Sequence, residues 1–386
     1  MTSSTADDPV RLLKDLVACA SVTPEEAGAL DVLERALADI GFTVTRMRFD
    51  GDGSYPVDNL FAIRGTGGRR LLFAGHTDVV PPGDLANWTS DPFVPREADG
   101  RLYGRGAADM KSGIAAFVAA AASIPAEAGT VMLAITNDEE ADAVNGTAKL
   151  MEWAEEQQHR FDFAIVGEPS STELLGDSIK IGRRGSFSGL ITVTGTQGHV
   201  AYPDRANNPL PTLARIVSAL DTTIDTGSEH FPATNLEVTS IDVGNAVSNV
   251  IPAAGSIRFN IRYNDLWTVG GLADWVRSRI ATVDPSGTAI DFSISGEPSR
   301  SFLSPLSGDV DTLADAIAEV TGRRPQYSTG GGTSDARFIA QYGPVVECGL
   351  VGPSMHKADE HIVISDLHGL TDIYRSFMRR FFEVSP

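Results

Sequence analysis

Leu-Leu-Phe-Ala-Gly-His-Thr-Asp, residues 71–78, is the stretch whose reading decides the fold. Four apolar residues, too few for a helix, end at a glycine and give way to an imidazole and a carboxylate. The same arrangement returns twice downstream. Residues 131–136 lead into Asn137-Asp138-Glu139-Glu140, and residues 163–166 lead into Gly167-Glu168-Pro169. Short apolar runs bounded by turn residues suit strands buried on both faces of a parallel sheet. A fourth run, 345–350, has the same texture. Helical patterns lie between them, one with Ile114, Phe117, Val118 and Ala121 on a single stripe and one over 147–159. This order predicts an α/β layer around a mostly parallel sheet.

Working outward, Leu12, Leu13, Leu16, Val17 and Ala20 recur at helical spacing. Thr23-Pro24-Glu25-Glu26 has the form of a capping box with proline at the first helical position, so two helices are expected to open the chain. After about residue 180 the texture changes to clean alternation: Ile257, Phe259 and Ile261 interleave with Arg258, Asn260 and Arg262, and Ile290, Phe292 and Ile294 repeat the pattern. Alternation marks a sheet with one covered face. The segments 179–194, 209–221, 234–243, 255–262, 269–283 and 288–295 read as strand, helix, strand, strand, helix, strand, the βαββαβ order of a ferredoxin-like α+β unit. A last helix carries Leu370, Ile373, Tyr374, Phe377 and Phe381 on its apolar face. The economical organisation is an α/β domain formed by 1–180 and 297–386, interrupted by an inserted domain over 181–296. The Ser/Thr-rich start is expected to be disordered.

Composition narrows the function. Fifty-one acidic against 31 basic residues give a net charge of −20, which repels phosphate backbones and anionic lipid and disfavours nucleic-acid or membrane-surface roles. No apolar run reaches the ~18 residues of a membrane span. The start of the chain lacks a basic region followed by an apolar stretch, so no secretory signal is expected. Cys19 and Cys348 are far apart and form no CxxC motif, and a reducing cytoplasm is the simplest compartment.

In open α/β sheets ligands bind outside the carboxyl ends of the strands. Three strands therefore deliver His76, the Glu139-Glu140 pair and Glu168 to one edge. The loop Tyr103-Gly-Arg-Gly-Ala-Ala-Asp109 can bring Asp109 there at a helix start. A lone glutamate pair is ordinarily a solvated turn and a lone histidine a packed one, so convergence is the evidence. With the late His356, two imidazoles and three or four carboxylates form a natural set for two zinc ions of about four ligands each. No GxSxG elbow is present, and Gly104-Arg105-Gly106 lacks the third glycine of a dinucleotide fingerprint.

GHTDVVPPG at 75–83, YGRGAADMKSG at 103–113, TNDEEADAVNGT at 136–147, VGEPS at 166–170, IKIGRRGS at 179–186, GTQGHVAYP at 195–203, NVIPA at 249–253, GGTSDARF at 331–338 and MHKADEH at 355–361 span nearly the whole chain. In this order they resemble the zinc-dependent aminoacylase and carboxypeptidase superfamily. The resemblance implies a zinc-peptidase-like catalytic domain with an inserted dimerisation or lid domain, and two zinc ions with cobalt as a possible substitute. Asp109 would bridge the ions, His76 and Glu168 holding one and Glu140 and His356 the other. Glu139 would be the general base, since an adjacent carboxylate that is not a ligand can take a proton from a water acidified by zinc. Asp78 would accept the second imidazole N–H of His76, a turn-stabilising aspartate being the plainer alternative. His199 would reach the opposite subunit's site and hydrogen-bond the developing oxyanion, which requires a homodimer.

The implied substrate is a small amide bearing several carboxylates, which the protein's overall charge repels. Lys180, Arg183, Arg184 and Arg262 are the local basic residues suited to reverse that sign. By resemblance Ser186, Tyr202, Asn249, Gly332 and Thr333 are further substrate contacts. His159, His230, His361 and His368 have no matching role. Two departures stand out: Ala-Asp-Ala follows Glu140 where glycine is expected first, and the loop 350–354 differs from the familiar pattern. A rival reading, a two-lobed binding protein without catalysis, predicts a degraded site, yet Glu139 and all five ligands are in place.

Overall fold

A computed structural model describes residues 5–306 and 308–384. The Ser/Thr-rich start falls at residues 1–4, outside the described residues. The chain divides into two compact units: Met1–Ile181 with Ser304–Ser328 and Ser334–Pro386, and Gly182–Leu303 with Thr329–Thr333. The second unit runs past residue 296. Phe302–Leu303 pairs antiparallel with Gly182–Arg183, and Ser299 exchanges two backbone bonds with Ser186 at 2.9 and 3.0 Å.

The first unit is built on an eight-stranded sheet in the order Thr43–Gly51, Ser54–Arg64, Thr130–Thr136, Arg70–His76, Phe163–Val166, Val345–Glu347, Ser178–Lys180, Gln326–Ser328. Its four central strands are parallel, as the apolar runs predict. An antiparallel hairpin, Thr43–Gly51 with Ser54–Arg64, extends one edge and was not expected. The outer of these strands has no buried residue, and its apolar Val44, Met47 and Phe49 do not alternate.

Helix Ser112–Ala122 was expected to bury one stripe, but all of residues 112–121 are buried. It lies on the strand Arg70–His76 while helices Pro9–Val17 and Ile364–Phe381 cover its other sides. A helix enclosed in this way is apolar all round. Phe117 stacks on Phe73 at 4.2 Å and meets Tyr374 edge-on at 5.7 Å. Lys111, at its start, is fully buried. Its ammonium donates to the carbonyls of Leu16 (2.9 Å) and Cys19 (3.0 Å) and to Ser21 Oγ (2.8 Å), capping the end of Pro9–Val17, and burial lowers its pKa to about 8.

The expected capping box does not start a helix. The second helix is Ala29–Asp39, entered through Gly28 at φ 85°. Thr23 spends its hydroxyl on Asp78 Oδ2 at 2.8 Å, and Glu26 reaches forward to the N–H groups of Gly28 and Leu30.

The second unit carries a four-stranded antiparallel sheet in the order Asn235–Asp242, Ala254–Tyr263, Gly185–Thr194, Ala289–Ile294. With helices Leu210–Leu220 and Val269–Ala281 it realises the expected βαββαβ order, around a core that includes Phe187, Ile191, Ile216, Ile257, Phe259 and Leu272. The expected strand 179–194 is broken into Ser178–Lys180, Gly182–Arg183 and Gly185–Thr194, the first belonging to the larger sheet.

Gly113 sits where its helix crosses the chain after Phe163–Val166, and a Cβ there would lie 2.3 Å from Gly167 O. Alanine ordinarily favours a helix over glycine. Here Gly113→Ala is expected to lower stability by about 1–3 kcal/mol through backbone overpacking. Calorimetric melting checks this; an unchanged Tm would mean that the helix slides freely on the sheet.

Candidate metal centre

The parallel ladder brings the loops to one level. His76 pairs with Thr136 and Ala74 with Val166, and the chain leaves both strands within two residues of those points. Thr77 N donates to Thr136 O at 2.9 Å, and Gly167 N to Ala74 O at 3.2 Å, extending the ladder into the loops. Asp109 arrives from the turn Ala107–Lys111, whose backbone leaves helical values at Asp109 itself (φ −118°, ψ 105°). His356 arrives with φ 62°, in the left-handed region that a residue with a Cβ occupies only when its surroundings enforce it.

Asp109 stands between the two imidazoles. Its Oδ1 is 3.3 Å from His76 Nε2 and its Oδ2 is 3.2 Å from His356 Nε2. His76 Nε2 also lies 3.4 Å from Glu168 Oε1, and His356 Nε2 lies 3.0 Å from Glu140 Oε1. The donor atoms of His76, Asp109 and Glu140 lie within 4.8 Å of one another, as do those of His76, Glu139 and Glu168. All six expected chemical residues thus meet in the first unit, with Glu139 within 4.8 Å of His76 and Glu168 and farther from His76 than Asp109 or Glu168.

Asp78 is buried against the same histidine, but His76 Nδ1 is nearer its backbone carbonyl (2.9 Å) than its carboxylate (3.5 Å). The carboxylate accepts from the backbone N–H of Glu139 (3.1 Å) and Glu140 (3.0 Å) and from Thr23. From the other side, Asp138 accepts from the N–H groups of Ala143, Val144 and Asn145 and from the Tyr55 hydroxyl. Two buried aspartates therefore hold the turn that presents the glutamate pair.

Crowded, dry carboxylates shift one another. Burial, reinforced by Asp109, pushes Glu168 up to about 8; burial and Glu168 hold Glu139 well above the usual carboxylate range. Hydrogen bonding to Asp109 and Glu140 raises His356 to about 10. Burial works against a charged His76, yet Asp109, Asp78 and Glu168 together raise it well above its ordinary value. For Asp109 burial would raise the pKa, but His356 and His76 outweigh it and hold the carboxyl far down. Among the described residues the ion-pair partners of Asp109, Glu140 and Glu168 are these two imidazoles. A buried anionic group of nitrogen and oxygen donors with so little positive charge fits divalent cations, and the residues present suit zinc.

The remaining expected residues lie elsewhere. Lys180, in the first unit, donates to Ser328 Oγ at 3.1 Å. In the second unit, Arg183 is buried and donates to the carbonyls of Gly332 (3.1 Å) and Gly330 (3.4 Å), which fixes the loop holding Gly332 and Thr333. Arg184 donates to Asn235 Oδ1 at 2.8 Å, and its pKa is lowered by burial and by the neighbouring charge of Arg262. Ser186 is the cross-strand partner of Arg262 and accepts from Asn260. His199 is exposed, pairs with Val250 and accepts from Ala201 N–H; the ring of Tyr202 lies 5.6 Å from its own. Asn249 accepts from Val200 N–H at 3.1 Å.

Sequence reading missed four buried groups around the centre. Glu347 ends the parallel strand Val345–Glu347 and accepts from the Ser334 hydroxyl. Asp335 accepts from Thr147 Oγ1 at 2.6 Å, its other oxygen is buried without a hydrogen-bond partner, and burial raises it to about 6. Arg105 and Glu360 form a buried ion pair. The rule that selected His76 and Glu168, a polar residue after an apolar run, passes over Glu347, because the run 345–350 continues apolar beyond it and only the structure ends the strand there.

A cluster suited to divalent cations at the carboxyl edge of a mostly parallel sheet, in a chain that also carries a ferredoxin-like unit, defines a metal-dependent hydrolase. The chain belongs to the peptidase family M20/M25/M40, which its residues 72–380 match. Proteins named succinyl-diaminopimelate desuccinylase from Methylorubrum populi and Rhodopseudomonas palustris are 51% and 52% identical to it, over 97% and 96% of this chain and 98% and 97% of theirs. Among solved structures, an M20 family metallo-carboxypeptidase from Sulfolobus solfataricus is similar at a TM-score of 0.77 and 16% identity, over 98% of this chain and 100% of that one. Aminopeptidase PepT from Bacillus cereus has the same TM-score at 19% identity, over 97% and 99%. The structural likenesses speak for the fold.

Without an ion, His356 keeps its proton up to about pH 10 and Glu168 up to about pH 8. An entering cation must displace those protons, so its affinity is expected to climb with pH across that range and binding at pH 7 to release at least one proton. Titration calorimetry in buffers of different ionisation enthalpy reads this directly; a heat independent of the buffer would contradict it.

Proposed function

We propose that the chain is a dizinc amidohydrolase that cleaves N-succinyl-LL-2,6-diaminopimelate to succinate and LL-2,6-diaminopimelate, a succinyl-diaminopimelate desuccinylase of lysine biosynthesis. The substrate is carried by the identity of about half, over nearly the full length, to relatives of that name. The metal cluster supports the reaction class.

In this reading His76 and Glu168 would hold one ion, Glu140 and His356 the other, with Asp109 shared between them, and cobalt could substitute for zinc. When bound, the ions supply Lewis acidity, polarising an amide carbonyl and bringing the acidity of water towards neutral pH. Glu139 takes the proton of the attacking water and returns it to the leaving amine nitrogen. Asp78 keeps Glu139 and Glu140 in position through their backbone N–H groups.

The first unit serves catalysis, and the second, Gly182–Leu303 with Thr329–Thr333 rather than the expected 181–296, serves dimerisation and closure. Within a homodimer His199 serves the opposite subunit, donating to the oxyanion. Lys180, Arg262, Ser186, Tyr202, Asn249, Gly332 and Thr333 hold the substrate, the Arg262 fork matching a carboxylate, and Arg183 serves the same site through the Gly332–Thr333 loop that its guanidinium fixes. The enzyme works in the cytoplasm without nucleic-acid or membrane partners. No described helix is long and apolar enough to cross a membrane.

Glu139→Gln is expected to retain zinc, measured by elemental analysis, while kcat falls by roughly 10²- to 10⁴-fold. Near-normal turnover would remove Glu139 as the base. For the substrate, the measurement is kcat/KM of zinc-reconstituted protein on N-succinyl-LL-diaminopimelate against N-acetylornithine. A ratio far above one is expected. If acetylornithine wins, the succinyl assignment fails while the metal chemistry stands; if neither turns over, a non-catalytic binding protein takes its place.

A further inference from the structure

Asp109 and His356 reach the centre on loops, whereas His76 ends a strand of the central ladder and Glu168 follows one by two residues. The two loops are fastened to each other by one carboxylate. Glu360, four residues beyond His356, is fully buried, and its Oε1 accepts the backbone N–H groups of Ala108 (2.8 Å) and Asp109 (3.1 Å). Its Oε2 takes Arg105 Nη1 at 2.5 Å, and its backbone carbonyl accepts Gly104 N–H at 2.9 Å. Arg105 is buried in turn, with its guanidinium 5.2 Å from the ring of Trp88. Other arginine contacts, to Pro81 O at 3.5 Å and Lys357 O at 3.4 Å, are too long to hold much, so Glu360 carries the link.

The His356 loop needs such a fastening. Two of its residues, His356 at φ 62° and Asp359 at φ 54°, occupy left-handed backbone that side chains disfavour. Strain of this kind persists only where the surroundings over-determine it. The Asp359 carboxylate is anchored by Thr89, through the backbone N–H at 2.8 Å and the hydroxyl at 2.6 Å. Glu360 supplies the second anchor, the one that also reaches Asp109. Only a carboxylate serves both sides: one oxygen faces two N–H donors and the other a guanidinium, so an amide would turn its NH₂ against a donor.

We infer that Glu360, locked by Arg105, is a positioning residue that sets the spacing of Asp109 and His356 and so governs affinity for the ion held by Glu140 and His356 more than for the ion held by His76 and Glu168. The inference rests on the two-ion reading above. Of the three ligands at the first position, two hang on the linked loops; at the other position, two hang on strand ends.

The test is titration of the metal-stripped full chain with Co(II), wild type against Glu360→Gln, followed by calorimetry and visible Co(II) absorption, with Tm measured alongside. Two binding steps are expected for wild type. In Glu360→Gln one step is expected to weaken by roughly 10- to 100-fold, the scale seen when a residue supporting a ligand is lost, and the other to stay nearly unchanged. Should that variant fail to fold because it strands a buried guanidinium, Glu360→Gln combined with Arg105→Met removes both charges and is read in the same way. A lowered Tm with both steps intact would make the pair merely structural and overturn the inference, as would equal weakening of both steps. A wild-type chain that takes up one ion or none would remove the two-ion reading and this inference with it.

Discussion

The centre hangs on the register of three parallel strands. Pairing His76 with Thr136 and Ala74 with Val166 makes the loops after Arg70–His76, Thr130–Thr136 and Phe163–Val166 begin side by side. Because side chains alternate between faces of a strand, a slip of one residue would send His76 away from Glu168. The register is protected by burial on both faces, where Phe73 meets Phe117 beneath the enclosed helix Ser112–Ala122. Hydrophobic packing well away from the reacting atoms therefore fixes the distances among the donors.

That edge concentrates charge that the fold would otherwise avoid. Removing carboxylates from water costs several kcal/mol each unless they are paired. The two imidazoles neutralise only part of the group, and the upward displacement of Glu139 and Glu168 expresses the rest. A divalent cation relieves the same repulsion more fully, so ion binding and folding of this edge are coupled. Asp78 and Asp138 show how the glutamate turn is kept in place meanwhile: each buried carboxylate takes two or more backbone N–H groups, which satisfies its charge and immobilises the turn.

What the sequence makes legible follows from how locally each feature is encoded. Parallel strands buried on both faces appear as unbroken apolar runs, so the central sheet and the polar residue after each run can be read directly. The ferredoxin-like unit is equally legible from the alternation of Ile257, Phe259 and Ile261. Features that depend on distant partners are not. Thr23 looks like a helix cap until Asp78, 55 residues away, claims its hydroxyl. Glu347 is hidden inside a run that otherwise reads as apolar. The Arg105–Glu360 pair spans 255 residues, and nothing in either neighbourhood announces the other.

The same distinction divides the basic residues of the second unit. Arg183, Arg184 and Arg262 look interchangeable in sequence as a positive cluster set against a net charge of −20. In the structure Arg183 shapes the backbone: it binds two glycine carbonyls, and Gly331 between them has φ 104° and would place a Cβ 2.5 Å from the guanidinium. The glycine run is thus required by the arginine's position, and substitution there would displace the loop carrying Gly332 and Thr333. Arg184 and Arg262 face a different constraint, since Arg184 immediately precedes the strand that pairs with that of Arg262 and the charge of each disfavours that of the other. Like charges held close raise the local positive potential, and an anionic group arriving between them would lower the energy of both. One arginine therefore builds the loop, and the other two hold like charge close together, so that three residues alike in sequence are under two different constraints.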